Sequence, residues 1–322
     1  MTGLPPRVVV DCDPGIDDAL ALLVLAHHHR QGLVQLSAVV AVAGNVSLDR
    51  TLVNARYILG QAGLDEVPVV AGAAGPISDG EKRYASIHGE DGLGGHGPLL
   101  DPADELFGAP APPEGAVARA ASPLAGLLDR YGRPAPVHLL AIGPLTDVAL
   151  GLRADPYLPE RVDRLVVMGG ALGSPAGNIS PRAEFNFWAD PDAAAAVCRA
   201  PWRLELVPLD VTEKVALGAD ALAFLEARLG SSSLATRVVR TGLELRRRQL
   251  GVAQLPLHDP LAAAVLVDPR LVAGVESGLS VCTQGAGRGE VRLVDEPPVH
   301  GVALSVDATR AEAAILDALT GE

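Results

Sequence analysis

Lysine, cysteine, aromatic residues and net positive charge are all scarce in this sequence, and each shortage removes a class of chemistry. The three cysteines, Cys12, Cys198 and Cys282, form no Cys-x-x-Cys pair. An odd, scattered set supplies neither a disulfide framework nor a thiolate metal site, and points to a reducing cytoplasm. Acids outnumber bases by 39 to 26, a net charge of −13. That balance repels a phosphate backbone and leaves no electrostatic footprint for nucleic acid. The best candidate for a membrane span, Ala19–Ala26, falls far below the roughly 20 residues a bilayer requires. Met1 to Val10 runs directly into an acidic segment, with no room for a secretory apolar core. Aromatic residues make up 3% of the chain, so few rings are available to stack on a flat ligand.

The chain is rich in apolar residues, at 48%, and their arrangement is informative. Nearly continuous apolar runs at Arg7–Val10, Leu36–Val42, Val67–Val70, Val137–Ile142, Leu165–Met168 and Leu204–Leu209 read as strands covered on both faces. Helical patterns alternate with them at Asp17–His29, Leu48–Gln61, Pro123–Tyr131, Leu145–Leu152 and Pro191–Arg199. Ser122-Pro123 gives one of these a cap followed by proline at the first helical position. The alternation predicts an α/β fold with a mostly parallel central sheet flanked by helices. Leu217–Leu250 reads as helical throughout, and Leu279–Cys282, Gly289–Val294 and Val302–Val306 read as a terminal strand group before a last helix. No linker interrupts the pattern, so residues 1–322 are expected to form one domain. Two long irregular loops, Ala71–Pro113 and Gly169–Asn186, are candidates for function.

The densest chemical signal is Val8-Val-Val-Asp11-Cys-Asp13-Pro-Gly-Ile-Asp17-Asp18. An apolar strand meets a Pro-Gly break and then a helix. Asp11 and Asp13 share one side of an extended strand, and Asp17 and Asp18 open the helix, where the dipole favours anions. Ligands of open α/β sheets bind at this carboxyl end of strands. Two such charges about 4 Å apart repel by about 4 kcal/mol at an effective dielectric of ~20, so a proton or a cation must relieve them. All-oxygen donors select a hard ion, Ca²⁺ or Mg²⁺. The bland alternative is a turn whose acids cap the helix, but capping needs only one or two of the four. His258-Asp259-Pro260 adds an acid before an apolar helix; taken alone, the favoured reading is a capping Asp beside a surface His. Ala183-Glu184-Phe-Asn186 sets a carboxylate and an amide on one face of a loop, suited to vicinal hydroxyls or to structural hydrogen bonding.

Taken in order, these segments resemble the inosine–uridine-preferring nucleoside hydrolase family. The resemblance runs through Asp11-Cys-Asp-Pro-Gly-Ile-Asp-Asp18, Val42-Ala-Gly-Asn45, His88-Gly, Ile142-Gly-Pro-Leu-Thr146, Met168-Gly-Gly, Gly177-Asn178, Ala183-Glu-Phe-Asn186 and His258-Asp-Pro260, nearly the whole chain. It implies a Rossmann-like nucleoside hydrolase domain and calcium-dependent hydrolysis of ribonucleosides, within purine or pyrimidine salvage. It also implies Ca²⁺ held by Asp13, Asp18, Asp259 and the carbonyl of Ile142, with Asp11 in support. The ribose would be held by Asn45, Met168, Asn178, Glu184 and Asn186. Asp17 would be the general base, taking a proton from water that inverts C1′, and His258 would serve the departing base. His88 and Phe185 are candidates for the base pocket. The expected partners are small-molecule ribonucleosides, with no nucleic acid or membrane, and the expected assembly is a homodimer or homotetramer.

One departure concerns the base. Family members of broad specificity carry tyrosines in the helix before His-Asp-Pro, whereas Thr241–Gln254 has no aromatic residue. Phe185, Phe187 and Trp188 are the rings left to stack on a base, with pyrimidine nucleosides or inosine expected over adenosine. Two rival readings compete with the hydrolase. Asp11-x-Asp13 after a strand also suits a haloacid-dehalogenase-type phosphatase, but that chemistry needs a partner lysine, and neither Lys82 nor Lys214 fits its pattern. A non-catalytic nucleoside- or ribose-binding protein would need Asp17 and His258 less. Gly92-x-Gly94-x-x-Gly97 matches a dinucleotide fingerprint but follows no strand, and reads better as a flexible lid loop.

Overall fold

β1 (Arg7–Cys12) is buried from Val8 onward. Val8, Val10 and Cys12 enter one apolar core and Val9 the other, the period-2 alternation of a strand covered on both faces. The computed structural model describes residues 4–77, 86–100, 122–173 and 177–322. After β1 come α1 (Ile16–Arg30), β2 (Gln35–Ala41), α2 (Leu48–Gln61) and β3 (Val69–Ala71). A second series follows: α3 (Pro123–Tyr131), β4 (Val137–Ala141), α4 (Thr146–Ala154), β5 (Val162–Met168), α5 (Phe185–Ala189), α6 (Pro191–Cys198) and β6 (Leu204–Val207). The remainder holds α7 (Leu209–Thr212), β7 (Ala216–Leu217), α8 (Ala219–Leu229), α9 (Leu234–Leu250), β8 (Leu255–Pro256) and α10 (His258–Val267). It closes with β9 (Val272–Val281), β10 (Val291–Val294), β11 (His300–Val306) and α11 (Ala308–Thr320).

Among the described residues nine strands form one sheet in the order β10–β9–β11–β6–β5–β4–β1–β2–β3. From β3 to β6 and on to β11 the neighbours are parallel, and β9 is antiparallel to both β11 and β10. The fold is thus the expected α/β class, a mostly parallel sheet between helices. From β1 the chain steps outward to β2 and β3, then returns to β4 on the opposite side of β1. The strand order therefore reverses between β1 and β4, and such a switch point leaves a crevice at the carboxyl ends. α1 is buried nearly all round, with β2, α2, α9, α10 and α11 packed about it. Ser122 caps α3 by accepting from Ala125 N–H, with Pro123 in the first turn.

Three differences from expectation have local causes. The strand expected over Leu204–Leu209 ends at Val207, because Pro208 cannot extend the ladder and α7 starts behind it. Leu217–Leu250 is two helices, not one. Gly230, at φ 77°, ends α8, and the Ser233 side chain starts α9 by accepting from Thr236 N–H. The two long loops hold short helical pieces, Ser86–His88 and α5. Their segments 78–85, 101–113 and 174–176 lie outside the described residues. Among the described residues no helix is long and apolar enough to cross a membrane.

Candidate active site

A cavity of about 430 Å³ opens at the switch point, with Asp13, Asp17, Asn45, Ile142 and Asp259 in its wall. Pro14-Gly15 turns the chain from β1 into α1, and Gly15 is required by space: a Cβ there would stand 2.7 Å from Asn45 Nδ2 and from His88 Nδ1. Asp18 closes the turn, its carboxylate accepting from the N–H groups of Gly15 (2.9 Å) and Asp13 (3.1 Å) and from Asn45 Nδ2 (3.1 Å). Of the four acids, Asp18 alone is the helix-capping one. Asp13 Oδ2 accepts from Asn45 N–H at 2.6 Å, and Asn45 Nδ2 also donates to Asp13 O, so Asn45 braces the turn. Asp11 lies behind the wall, 1% exposed, with neither oxygen hydrogen-bonded among the described residues. Asp259 is in the first turn of α10 but does not cap it; Leu257 holds that position without a side-chain bond.

Oxygens of Asp17, Asp18 and Asp259 lie within 4.8 Å of one another. Among the described residues no Lys or Arg pairs with any of them, and His88 Nδ1 stands 3.8 Å from Asp17 Oδ1. Burial, and then repulsion from Asp18, pushes Asp13 well above the usual carboxylate range. Burial and then Asp17, Asp18 and Asp13 do the same to Asp259. Burial and Asp17 push Asp18 up to about 7, even though its backbone hydrogen bonds favour the charge. A bound cation relieves this repulsion as a proton would, and an all-oxygen donor set fits a hard divalent ion. The cluster can therefore hold a metal ion. It contains Asp17, where the expected trio had Asp13.

The ends of β4 and β5 are tied together by Asn186, whose Nδ2 donates to Ile142 O (2.9 Å) and Met168 O (3.4 Å). Ile142 O keeps a second lone pair for another partner. Glu184 caps α5: Oε1 accepts from Asn186 N–H (2.7 Å), and Oε2 from Phe187 N–H (3.1 Å) and Gly170 N–H (3.0 Å). Burial nonetheless pushes Glu184 up to about 7. The structural bonding is thus real, yet Met168, Glu184, Asn186 and the exposed Asn178, which accepts from Phe185 N–H, all line the cavity.

Farther out the wall holds Phe185, His88 and His258. His88 accepts from Ile16 N–H through Nδ1 at 3.1 Å, so it is fixed in the wall rather than solvated. Burial draws His258 below its ordinary value, with Asp17 and Glu213 opposing and Arg246 reinforcing. Phe187 is fully buried in the core, and Trp188 lies 5.8 Å under the Arg288 guanidinium; neither lines the cavity. The glycine-rich loop turns its N–H groups on an acid of its own. It wraps its own Asp91, whose oxygens accept from the N–H groups of Leu93 (3.0 Å), Gly95 (2.9 Å) and Gly97 (2.8 Å). Gly92, Gly94 and Gly95 adopt positive φ to make this nest. Asn54 and Thr241 pin it further, so these residues form an anchored loop rather than a free lid.

The model of the family described as inosine-uridine preferring nucleoside hydrolase matches residues 8–313. The chain belongs to the inosine-uridine preferring nucleoside hydrolase family. As a member it is an enzyme, a nucleoside hydrolase, and neither the phosphatase nor the non-catalytic reading is favoured. It is 35% identical over 293 residues to a pyrimidine-specific ribonucleoside hydrolase, RihA, of Citrobacter koseri, covering 89% of this chain and 88% of that one. It is 32% identical over 294 residues to an inosine-uridine preferring nucleoside hydrolase of Leishmania major, covering 91% and 88%. A plant nucleoside hydrolase structure, PpNRh1, superimposes with a TM-score of 0.85 at 26% identity, covering 98% of this chain and 99% of that one.

Several wall residues of this nucleoside hydrolase escape sequence reasoning. Ile16, Ile87, Ile179, Glu213, Gln249, Leu250 and Leu255 all face the cavity, as does Arg246. Thr212-Glu213 follows β6 at the carboxyl edge of the sheet, a position that could have marked it. The α9 stretch is marked only by the tyrosines it lacks, and a polar helix face does not show which of its residues turn inward.

Proposed function

We propose that the enzyme hydrolyses the N-glycosidic bond of ribonucleosides to ribose and free base in a Ca²⁺-dependent reaction, with residues 1–322 acting as one catalytic domain. The observation that carries this reading is the cluster of buried, unneutralised carboxylates opening into a cavity of nucleoside size. Asp13, Asp18, Asp259 and the carbonyl of Ile142 would hold the ion. When bound, Ca²⁺ positions and polarises the oxygens around it. Asp17, whose buried Oδ1 has no hydrogen-bond partner, accepts the proton of the attacking water. Surplus carboxylate charge favours an oxocarbenium-like ribosyl transition state, and attack from the opposite face inverts C1′. Asn178, Glu184 and Asn186 grip the ribose hydroxyls beside Asn45 and Met168, while Asp11 supports the acids from behind. His258 meets the departing base as a hydrogen-bond donor, with His88 and Phe185 flanking it.

A second assignment exchanges two acids. Asp17 lies in the oxygen cluster and Asp13 outside it, so Asp17 becomes the ligand and Asp13 the base. Substrate preference is read as pyrimidine nucleosides or inosine over adenosine, in line with few stacking rings and with the names of the two relatives above. A cytoplasmic homodimer or homotetramer is the form proposed. Ribose release from uridine, cytidine, inosine and adenosine, with Ca²⁺ or with chelator, tests the reading. Release from the first three that stops on chelation is expected; no release from any nucleoside would overturn it.

A further inference from the structure

Thr212 is fully buried behind the cavity wall, at the last residue of α7. Two short strands fix its place. β7 pairs antiparallel with β8, and Leu257 N–H donates to Val215 O at 2.8 Å. This ladder brings residues 212–213 against His258, with Thr212 Oγ1 2.8 Å from His258 Nδ1. At the other side of the ring, Nε2 stands 3.8 Å from Glu213 Oε1, too far for a direct hydrogen bond.

Which nitrogen carries the proton follows from satisfaction of the hydroxyl. A threonine hydroxyl has one proton to donate and two lone pairs to accept with. Among the described residues, His258 Nδ1 is the single partner within hydrogen-bond distance of Thr212 Oγ1. If Nδ1 carried the proton, it would donate to Oγ1, and the hydroxyl proton would be left buried without an acceptor. If the hydroxyl donates to Nδ1, both groups are satisfied and the ring proton must sit on Nε2.

We propose that Thr212 is a positioning residue of the hydrolase: its hydroxyl keeps His258 Nδ1 bare and the ring proton on Nε2, aiming a donor at the departing base. The proposal deepens the reading of His258 given above and rests on it. Glu213 stands off far enough to leave that donor to the substrate. A base such as uracil, which leaves poorly as an anion, then depends on the Thr212 hydroxyl. A p-nitrophenyl leaving group, which departs without help, does not.

Nitrogen NMR of the Ca²⁺-loaded enzyme, labelled with ¹⁵N-histidine, reads the tautomer, with His258→Gln identifying the ring's signals. The expected spectrum shows Nε2 protonated and Nδ1 bare in the wild type and in Thr212→Ser. Thr212→Val, similar in shape but lacking the hydroxyl, is expected to shift that pattern. Its kcat on uridine should fall by roughly 10-fold or more, part of the about 10²–10⁴-fold that a placed proton donor supplies. Hydrolysis of p-nitrophenyl riboside should hold, and Thr212→Ser should restore the uridine rate. A wild-type spectrum with Nδ1 protonated overturns the Thr212 assignment; His258 then remains a donor only if Nε2 carries a proton as well. Equal loss on both substrates in Thr212→Val overturns it too, because the role is then structural. An unchanged uridine rate in His258→Ala overturns the donor reading itself, and the catalytic half of this proposal with it.

Discussion

At its inner end the cavity is walled by residues from the carboxyl ends of parallel strands: Asp13 and Asp17 after β1, Ile142 after β4, Met168 closing β5. At its outer end the wall is one face of α9, with Arg246, Gln249 and Leu250, joined by Ile179. Apart from half-buried Asp17, the inner residues are buried and cross-linked; Asn186 alone binds two strand ends, and Asn45 holds both Asp13 and Asp18. The outer ones are open, with Leu250 55% and Ile179 42% exposed, and Arg246 Nε donates only to the nearby Gln254 O. Under the proposed function, this difference would divide the labour of the site. A sheet edge holds groups to fractions of an ångström, as charge-developing chemistry requires. A half-exposed helix face tolerates change, as befits the recognition of variable bases. Asp91 makes the complementary point: a carboxylate fully served by backbone N–H groups is a structural element, whereas the β1 acids are left short of donors.

The contrast predicts graded losses. The largest concerns the sugar. Removing the 2′-hydroxyl leaves buried polar groups at the inner end unpaired, so deoxyuridine should react about 10⁴-fold more slowly than uridine in kcat/KM. Comparable rates on the two would show that the inner end does not read the ribose. Next, Asp17→Asn should lower kcat by about 10²–10⁴-fold with little change in KM. Asp13→Asn should instead weaken Ca²⁺ binding; if the two variants trade these behaviours, the exchanged assignment of base and ligand holds. The smallest effect belongs to the mouth. Arg246→Ala should change the uridine-to-inosine ratio of kcat/KM by about 5-fold at most, because solvent-accessible charged contacts are worth at most about 1 kcal/mol. A loss as deep as that of Asp17→Asn would erase the distinction between the two ends.

The same contrast explains what could be read from sequence. The inner end was legible because its chemistry is local: Asp11, Asp13, Asp17 and Asp18 are crowded within one strand–turn–helix, and apolar runs marked β1, β2, β4 and β5. Long-range bracing left no such trace. Nothing in Thr212 alone announces a bond to a residue 46 positions later, and Asp91 reads as one acid among many until its glycines fold round it. The α9 stretch was marked only by the tyrosines it lacks; its residues otherwise resemble any amphipathic surface helix, so which of them face the cavity was not legible. The missed break at Gly230 has a different origin, since serines 231–233 and one glycine are weak stops inside a strong helical pattern. Phe187 was misplaced because it sits two positions, about 200° of helix, beyond Phe185 on α5, and Trp188 because its ring lies against Arg288.

The central claim is that the buried acids form a Ca²⁺ site, and calorimetric titration of chelator-treated enzyme with Ca²⁺ tests it most directly. Asp18, pushed up to about 7 by burial and by Asp17, holds a proton more readily than an ordinary carboxylate. The ion must displace that proton. The account therefore predicts saturable binding near one ion per chain, with protons released on binding and affinity falling as the pH drops from 8 to 6. Asp259→Asn should weaken binding strongly. Absence of binding at pH 8, or Ca²⁺ affinity unchanged in Asp259→Asn, would contradict the account.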